Sequence, residues 1–326
     1  MRTGLALQSG SSNQVPRFPR PGSLGGISRN ILIAGATGFV GSRLAESLGG
    51  SEATVRCLVR DRAKARSLEA GGLELHVGDI TDADSLAGAA DDIEIAYYLV
   101  HAMAGGGGFA ERERTGALNF ARMAKREGVK RIVYLGGLGD EGVSEHLRSR
   151  HETARVLEAE GPSLTYFRAA MVVGAGSESY RTLRYLVGRL PVMITPNWLR
   201  TDTQPIGIDA TIEYLRRAPE VPESAGREVQ IGGPDVLSYS EMLDRMAIAM
   251  GMQPRRKLPV PFITPQLSAL WLGLVTPVDT KVARPLVEGL TTATVVTDPS
   301  GAEPFAISPE SFDEALRRAF AEEKEG

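Results

Sequence analysis

The sequence predicts an α/β protein in which a doubly wound parallel sheet, covered by helices on both faces, is joined to a smaller, mainly helical lobe. Three observations carry this expectation. Short apolar runs of strand length alternate with stretches of helical periodicity from Asn30 to Val173. The first run ends directly on glycines at positions 35, 38 and 41, and a helical pattern follows at once. Beyond Val173 the alternation decays, and the chain becomes richer in proline and in long helical patterns.

Six strand candidates come in order: residues 31–34 (ILIA), 53–59 (ATVRCLV), 73–77 (LELHV), 93–100 (IEIAYYLV), 131–135 (RIVYL) and 164–169 (LTYFRA). Runs that are apolar on both faces suit the interior of a parallel sheet. Between them the pattern predicts helices over 39–48, 61–70, 82–89, 109–127 and 145–160. Thr81 and Asp82 are natural N-caps for the third, since their side-chain oxygens accept from free N–H groups of a first turn. Gly128 ends the fourth and Gly161-Pro162 the fifth, because glycine takes the left-handed terminal conformation and proline cannot continue a helix. Further helices are expected over 177–189, 209–217, 239–250, 263–272, 279–290 and 309–323, with a strand near 228–232 returning to the sheet. The expected organisation is therefore an extension over 1–29, a sheet domain over 30–175 and a mainly helical lobe over 176–326.

Composition removes several function classes. With 326 residues, 42% hydrophobic and 24% charged, the chain sits in the ordinary globular range. A formal net charge of -3 gives no basic field of the kind that steers proteins onto nucleic acid. The single cysteine, Cys57, lies in a strand candidate, which excludes an internal disulfide and fits a reducing, cytoplasmic setting. No apolar run reaches the length of a membrane span; residues 261–278 come nearest but are broken by Pro265. The first 29 residues hold four arginines, no acidic residue and many Ser, Gly and Pro, a composition that predicts disorder. Such starts also describe organelle transit peptides, but this one lacks an amphipathic helix and reads as an inert extension. The four histidines show no metal-ligand spacing, so no metal is expected.

The glycines point to the chemistry. In residues 31–41, ILIAGATGFVG, a strand runs into Gly35, where a tight turn needs a glycine. Gly38 lets backbone approach a pyrophosphate, and Gly41 lets the following helix pack close to the strand. The N–H groups at that helix start then face the phosphates. This strand-loop-helix context predicts a Rossmann-type dinucleotide site, with Thr37, Phe39 and Val40 as further loop contacts. The second strand ends at Val59-Arg60-Asp61, where the ribose-reading residue belongs. Arg60 suits a 2′-phosphate and adenine stacking, which favours NADP(H); Asp61 would favour NAD(H) if the strand ended one residue later, and Arg60 as a solvated surface charge is the bland alternative. Asp79 is placed either to accept from the adenine amino group or to cap the next helix, with Ile80 beside it as a cofactor contact. Val100 and His101, at the end of the fourth strand, lie where ligands bind in open α/β sheets.

At this point GATGFVG, LVRD, VGDITDADSL, GVKRIVYLGGLG and LTYFRAAMVVG resemble, in order, the strands and turns of the extended and atypical short-chain dehydrogenases. The resemblance covers about residues 30–235 and is greatest to the atypical branch that holds the NmrA-like regulators and the nucleotide-binding accessory subunit of respiratory complex I. It implies an NAD(P)H-binding protein. It also implies a serine after the fifth strand and a Tyr-x-x-x-Lys on the next helix. Here the serine region reads Leu135-Gly136-Gly137-Leu138, and the Tyr and Lys positions fall on His146 and Arg150.

Two readings follow for that helix: His146 as acid or base with Arg150 holding the ribose, or HLRSRHETAR as a solvated polar face. His101 is a third catalytic candidate, beside the nicotinamide. Residues 105–108 are four glycines, either a flap over the cofactor or a plain loop, and Arg168 faces the cleft or a carboxylate. In the second lobe Arg181, Arg184, Arg200 and Gln204 are weak substrate candidates, and Tyr180, Tyr185, Trp198 and Trp271 give an apolar setting, so a hydrophobic or quinone-like ligand and an anionic one both stay open. Tyr97 and Tyr98 read as core. The sequence thus supports an NAD(P)(H)-dependent oxidoreductase on a small, partly apolar carbonyl or alcohol; the alternative is a non-catalytic NAD(P)H-binding sensor or assembly subunit. A sugar-nucleotide epimerase, which needs the missing tyrosine, is a weaker third. The sequence carries no signal for an oligomeric state.

Overall fold

In a computed structural model of the protein, residues 29–49, 54–101, 108–139, 145–190, 192–260 and 291–325 are described. Residues 1–28 of the expected extension, the glycines at 105–107, the helices at 263–272 and 279–290 and Trp271 lie outside them. A seven-stranded sheet forms the centre. Its strands include β1 (Ile31–Ala34), β2 (Val55–Val59), β3 (Glu74–Val77), β4 (Ile95–Tyr98), β5 (Arg131–Gly137) and β6 (Ser163–Ala169). The seventh, Arg227–Ile231, lies beside β6, and the order runs from it through β6, β5, β4, β1, β2 to β3. Every pairing is parallel.

Helices cover both faces because the central strands are apolar on both. On one side Ile31, Ile33, Cys57, Tyr97, Val133 and Phe167 pack under α1 (Phe39–Leu48) and α6 (Ile208–Arg217). Leu32, Ala96, Tyr98, Ile132 and Tyr134 pack on the other against Phe120 and Met123 of α3 (Phe109–Arg126) and Leu157 of α4 (Glu145–Glu160). The Tyr97 hydroxyl donates to the Leu215 carbonyl at 3.0 Å, so this buried tyrosine is a core residue with its polar end satisfied. Cys57 is buried, and burial pushes its thiol up to about 12, which leaves it unreactive.

A third apolar cluster joins α5 (Glu178–Arg189), α7 (Tyr239–Ala249) and the helix Phe312–Glu325 through Tyr180, Met242 and Leu316. Two short parallel pairs accompany these helices: Val192–Thr195 with Arg256–Pro259, after α5 and α7, and Val172–Val173, just past β6, with Ile206–Gly207.

Two expected helices are shorter than their patterns. Over 61–70 the chain makes a 3-10 turn, Arg62–Ala65, and then α2 (Arg66–Ala70). Over 82–89 only the 3-10 turn Asp84–Leu86 forms. There Ser85 Oγ accepts from the Asp79 N–H at 2.9 Å and donates to the Asp82 carbonyl at 2.8 Å, local bonds that compete with a helical ladder.

Candidate functional site

The strand order reverses between β1 and β4, which opens a crevice at their carboxyl-terminal ends. Ala34 pairs with Tyr98, so Gly35 leaves β1 directly beside Leu99. Its φ is +90°, and a Cβ there would stand 2.6 Å from the Leu99 carbonyl and 3.0 Å from the Val100 nitrogen. Only glycine fits this turn. At Gly41 a Cβ would fall 2.1 Å from the Gly35 oxygen, so helix α1 closes onto the loop at backbone distance. Gly38 donates to the Gly35 carbonyl at 2.9 Å and precedes the first residue of α1 with no side-chain cap. Thr37 and Gly38 are exposed, and Phe39 and Val40 are half-buried. The cradle fits a dinucleotide: free helix N–H groups, no Cβ atoms in the way and an open approach.

Arg60 is exposed at the end of β2. Across from it Asp79 accepts from the Thr81 N–H at 2.9 Å and the Thr81 hydroxyl at 2.8 Å. Burial works to raise the Asp79 carboxyl, but those two bonds and the Arg60 charge outweigh it and hold the group below the usual carboxylate value. Asp79 therefore bonds its own turn. Ile80 is held by a residue that sequence reasoning missed: Asn119 Nδ2 on α3 donates to the Ile80 carbonyl at 2.9 Å. Gly116, one turn earlier, lets α3 come that close, since a Cβ there would meet the Ile80 side chain at 2.6 Å. An asparagine three residues after a glycine on one helix face was the available signal.

His101, His146 and Arg150 meet. Arg150 Nε donates to His146 Nε2 at 2.9 Å, and Arg150 Nη1 lies 3.3 Å from His101 Nε2. A guanidinium only donates, so both imidazoles accept on Nε2 and are neutral there. Burial and the Arg150 charge push His146 down to about 3. Burial, Arg150 and His146 likewise hold His101 well below the ordinary imidazole range, against an opposing hydrogen bond to the Leu135 backbone. Among the described residues Arg150 makes no ion pair with a carboxylate.

The missing serine has a steric cause. Tyr98, Tyr134 and Tyr166 occupy one register row across β4, β5 and β6. Tyr134 and Tyr166 stack with centroids 5.2 Å apart, and a Cβ on Gly136 would strike Tyr166 at 2.7 Å and Tyr134 at 3.1 Å. At Gly137 the space is taken by Leu147 at 2.6 Å and the Arg150 stem at 3.3 Å. No tyrosine replaces the absent acid. Tyr134 donates to the Arg150 carbonyl at 3.2 Å, and burial lifts its hydroxyl well above the ordinary phenol value.

Several other candidates have partners within the chain. Arg168 pairs with Glu228 at 2.7 Å and donates to the Gly137 and Gly139 carbonyls at 3.2 and 2.5 Å. His151, also missed from sequence, bridges the Gly139 carbonyl at 3.0 Å and the Tyr166 hydroxyl at 3.3 Å, so it fixes the loop after β5. In the second lobe Arg181 pairs with Glu178 at 3.2 Å and Arg184 with Glu323 at 2.7 Å. Tyr180 donates to Glu323 at 3.0 Å, and the Arg189 guanidinium lies 5.5 Å from the Tyr185 ring centroid. Gln204 donates to the Gly233 carbonyl at 2.7 Å and accepts from Val296 at 2.9 Å, while Arg200 is exposed. The side chain of Trp198 lies outside the description. Among the described residues no cluster of His, Cys, Asp or Glu could hold a metal, and no helix is long and apolar enough to cross a membrane.

Residues 35–183 match the family of NAD(P)H-binding domains. This segment, a little under half of the chain, is similar to NAD(P)H-binding domains. Within the domain, 109 residues are 31% identical to an NAD(P)H azoreductase of Xenophilus azovorans, a match over 33% of this chain and 36% of that protein. A second relative, the photosystem II assembly factor Ycf39 of Cyanophora paradoxa, is 25% identical over 193 residues, 57% of each chain. The chain thus spans roughly a third and somewhat over half of the lengths of these two curated relatives. The NADPH-dependent quinone oxidoreductase of Escherichia coli, in complex with NADPH, shares the fold over 89% of this chain and 99% of its own, with a TM-score of 0.71 and 19% identity.

Proposed function

We propose that the protein is an NADP(H)-dependent reductase of a small, partly apolar carbonyl-type acceptor, with its reaction site at the cluster of His101, Arg150 and His146. The observation that carries this reading is the meeting of these three side chains at the carboxyl-terminal ends of β4 and β5, beside the crevice that Gly35, Gly38 and Gly41 open. When bound, the reduced nicotinamide supplies hydride. Gly35, Thr37, Gly38, Phe39, Val40 and Gly41 cradle the pyrophosphate. Asp79, Ile80 and Val100 line the adenosine and ribose path, Arg60 meets the 2′-phosphate, and Asn119 keeps the Ile80 turn in place. Residues 30–175 form the cofactor half and 176–326 the substrate lobe, with α6 and Arg227–Ile231 returned to the sheet. The azoreductase and quinone oxidoreductase likenesses support the reductase reading.

A second reading, a non-catalytic NAD(P)H-dependent assembly or sensor protein, is favoured by the filled serine position and by the assembly-factor relative. One experiment separates the two. Binding of NADPH, NADP, NADH and NAD is followed by thermal shift, with nicotinamide absorbance recorded against a panel of quinone, azo and simple carbonyl acceptors. The reductase reading expects acceptor-dependent NADPH oxidation and a phosphate preference that Arg60→Ala loses by about tenfold. Tight binding with no turnover on any acceptor supports the assembly reading instead.

A further inference from the structure

Arg150 is a half-buried cation whose hydrogen-bonded partners among the described residues cannot neutralise it. Guanidinium groups keep their charge throughout the biological range. The two groups that receive its N–H bonds are imidazoles, which accept without carrying negative charge. An arginine held by acceptors but met by no described carboxylate is oriented and left with its field unspent. Its stem fills the space beside Gly137, its main-chain carbonyl is tied to Tyr134, and so its position is fixed from both ends.

Among the described residues the one carboxyl in these surroundings, Glu113, is bonded to Ser149. No hydroxyl stands at 135–138, the Tyr134 proton is committed to the Arg150 carbonyl, and the imidazole nitrogens turned to Arg150 carry none. An isolated ketone that gains a hydride becomes an alkoxide, a strong base that requires a proton in the same step. A conjugated dicarbonyl becomes a delocalised oxyanion, which can wait.

We infer that Arg150 is the oxyanion partner of this site, and that the acceptor is a quinoid or similarly conjugated carbonyl whose reduction leaves a delocalised anion. This inference rests on the reductase reading above. The acceptor gains the hydride, with the reduced nicotinamide as its two-electron donor. The acceptor's π pair moves onto a carbonyl oxygen, which takes hydrogen bonds from Arg150, and water later supplies the proton. His101 and His146 are positioning residues that aim the guanidinium. A hydride acceptor that is itself a cation is disfavoured by the same charge.

The test uses the full chain loaded with NADP and a pair of probes of one shape. These are 2-hydroxy-1,4-naphthoquinone at a pH where its hydroxyl is ionised, and the neutral 1,4-naphthoquinone that lacks the hydroxyl. The expected result is that the anion binds about tenfold tighter or more. Arg150→Met should erase that difference and Arg150→Lys keep part of it, with NADPH affinity within about twofold in both. The comparison in the unmodified protein stands even if a variant fails to fold. Equal binding of the two probes overturns the inference. So does a loss of NADPH affinity in Arg150→Met as large as the loss of anion binding, since Arg150 would then hold the cofactor. If NADPH oxidation with quinones proceeds while the probes bind equally, this inference alone falls; if NADPH neither binds nor turns over, the reductase reading falls with it.

Discussion

The two ends of the crevice are made of different material. Around Gly35 and Gly41 the site is backbone, shaped by where a Cβ cannot stand and by N–H groups at a helix start. Around β5 and α4 it is side chain, an arginine hung between two imidazoles beside the stacked rings of Tyr134 and Tyr166. The first arrangement tolerates almost no substitution but asks only for glycine at set intervals. The second depends on residues 49 positions apart in sequence, as His101 and Arg150 are. Backbone sites therefore leave a spacing behind in the sequence, and side-chain networks do not.

The largest effect that sharpens this contrast is expected at Gly41. Gly41→Ala sets a Cβ against the Gly35 carbonyl, and it should cost about 3 kcal/mol, toward the upper end for overpacking. The NADPH-induced rise in Tm should vanish with it. Calorimetry with and without NADPH reads both, and an alanine variant that still binds NADPH normally would break the backbone account.

Gly136→Ser comes next. It offers the family's hydroxyl but meets the Tyr134 and Tyr166 rings, so it should lower stability by about 1–3 kcal/mol and bring no gain in NADPH oxidation. A variant that is stable and faster would mean that the rings yield. Asn119→Ala removes one buried-side bond to the Ile80 carbonyl, and urea titration should show a loss of about 1 kcal/mol with cofactor affinity a few-fold weaker.

At neutral pH the other end shows no such loss, and its effect emerges only as pH falls. His146 is pushed down to about 3 from an ordinary 6.5, so below pH 6.5 the unfolded chain binds a proton that the folded site refuses. Its contribution to stability is present above pH 6.5 and is lost as pH falls toward 3. His146→Gln keeps an acceptor for Arg150 and removes the titration, so its Tm should decline less steeply between pH 6.5 and 4. Parallel Tm curves for the two proteins would contradict the neutral imidazole.

Much of the sheet was legible in advance. β1, β5 and β6 lie within two residues of their sequence patterns, because runs apolar on both faces have few other places to go. The helix expected over 82–89 was not legible, since its pattern is apolar at the right spacing while Ser85 spends its hydroxyl on the Asp79 and Asp82 backbone. In the site, His146 and Arg150 were found as an i, i+4 pair on one helix, and their meeting with His101 needed β4 and α4 side by side. Arg168 meets the carboxylate that was one of its two readings, while the partners of Arg184 and Gln204 were not legible, because an arginine or glutamine near a cleft looks alike in sequence whether it awaits a ligand or already holds a carboxylate or a carbonyl.

The strand Arg227–Ile231 lies against β6 although it begins 58 residues after Ala169 ends that strand. During synthesis at about 5–20 residues per second, the nascent chain carries β6 with an open edge for several seconds before its neighbour emerges. Over that interval Arg168 has no Glu228, and the backbone groups of β6 face solvent or any other extended chain nearby. The part of the molecule that holds the loop after β5 is thus the last of the sheet to be sealed, and chaperone demand in the cell should concentrate on chains stalled between those two strands.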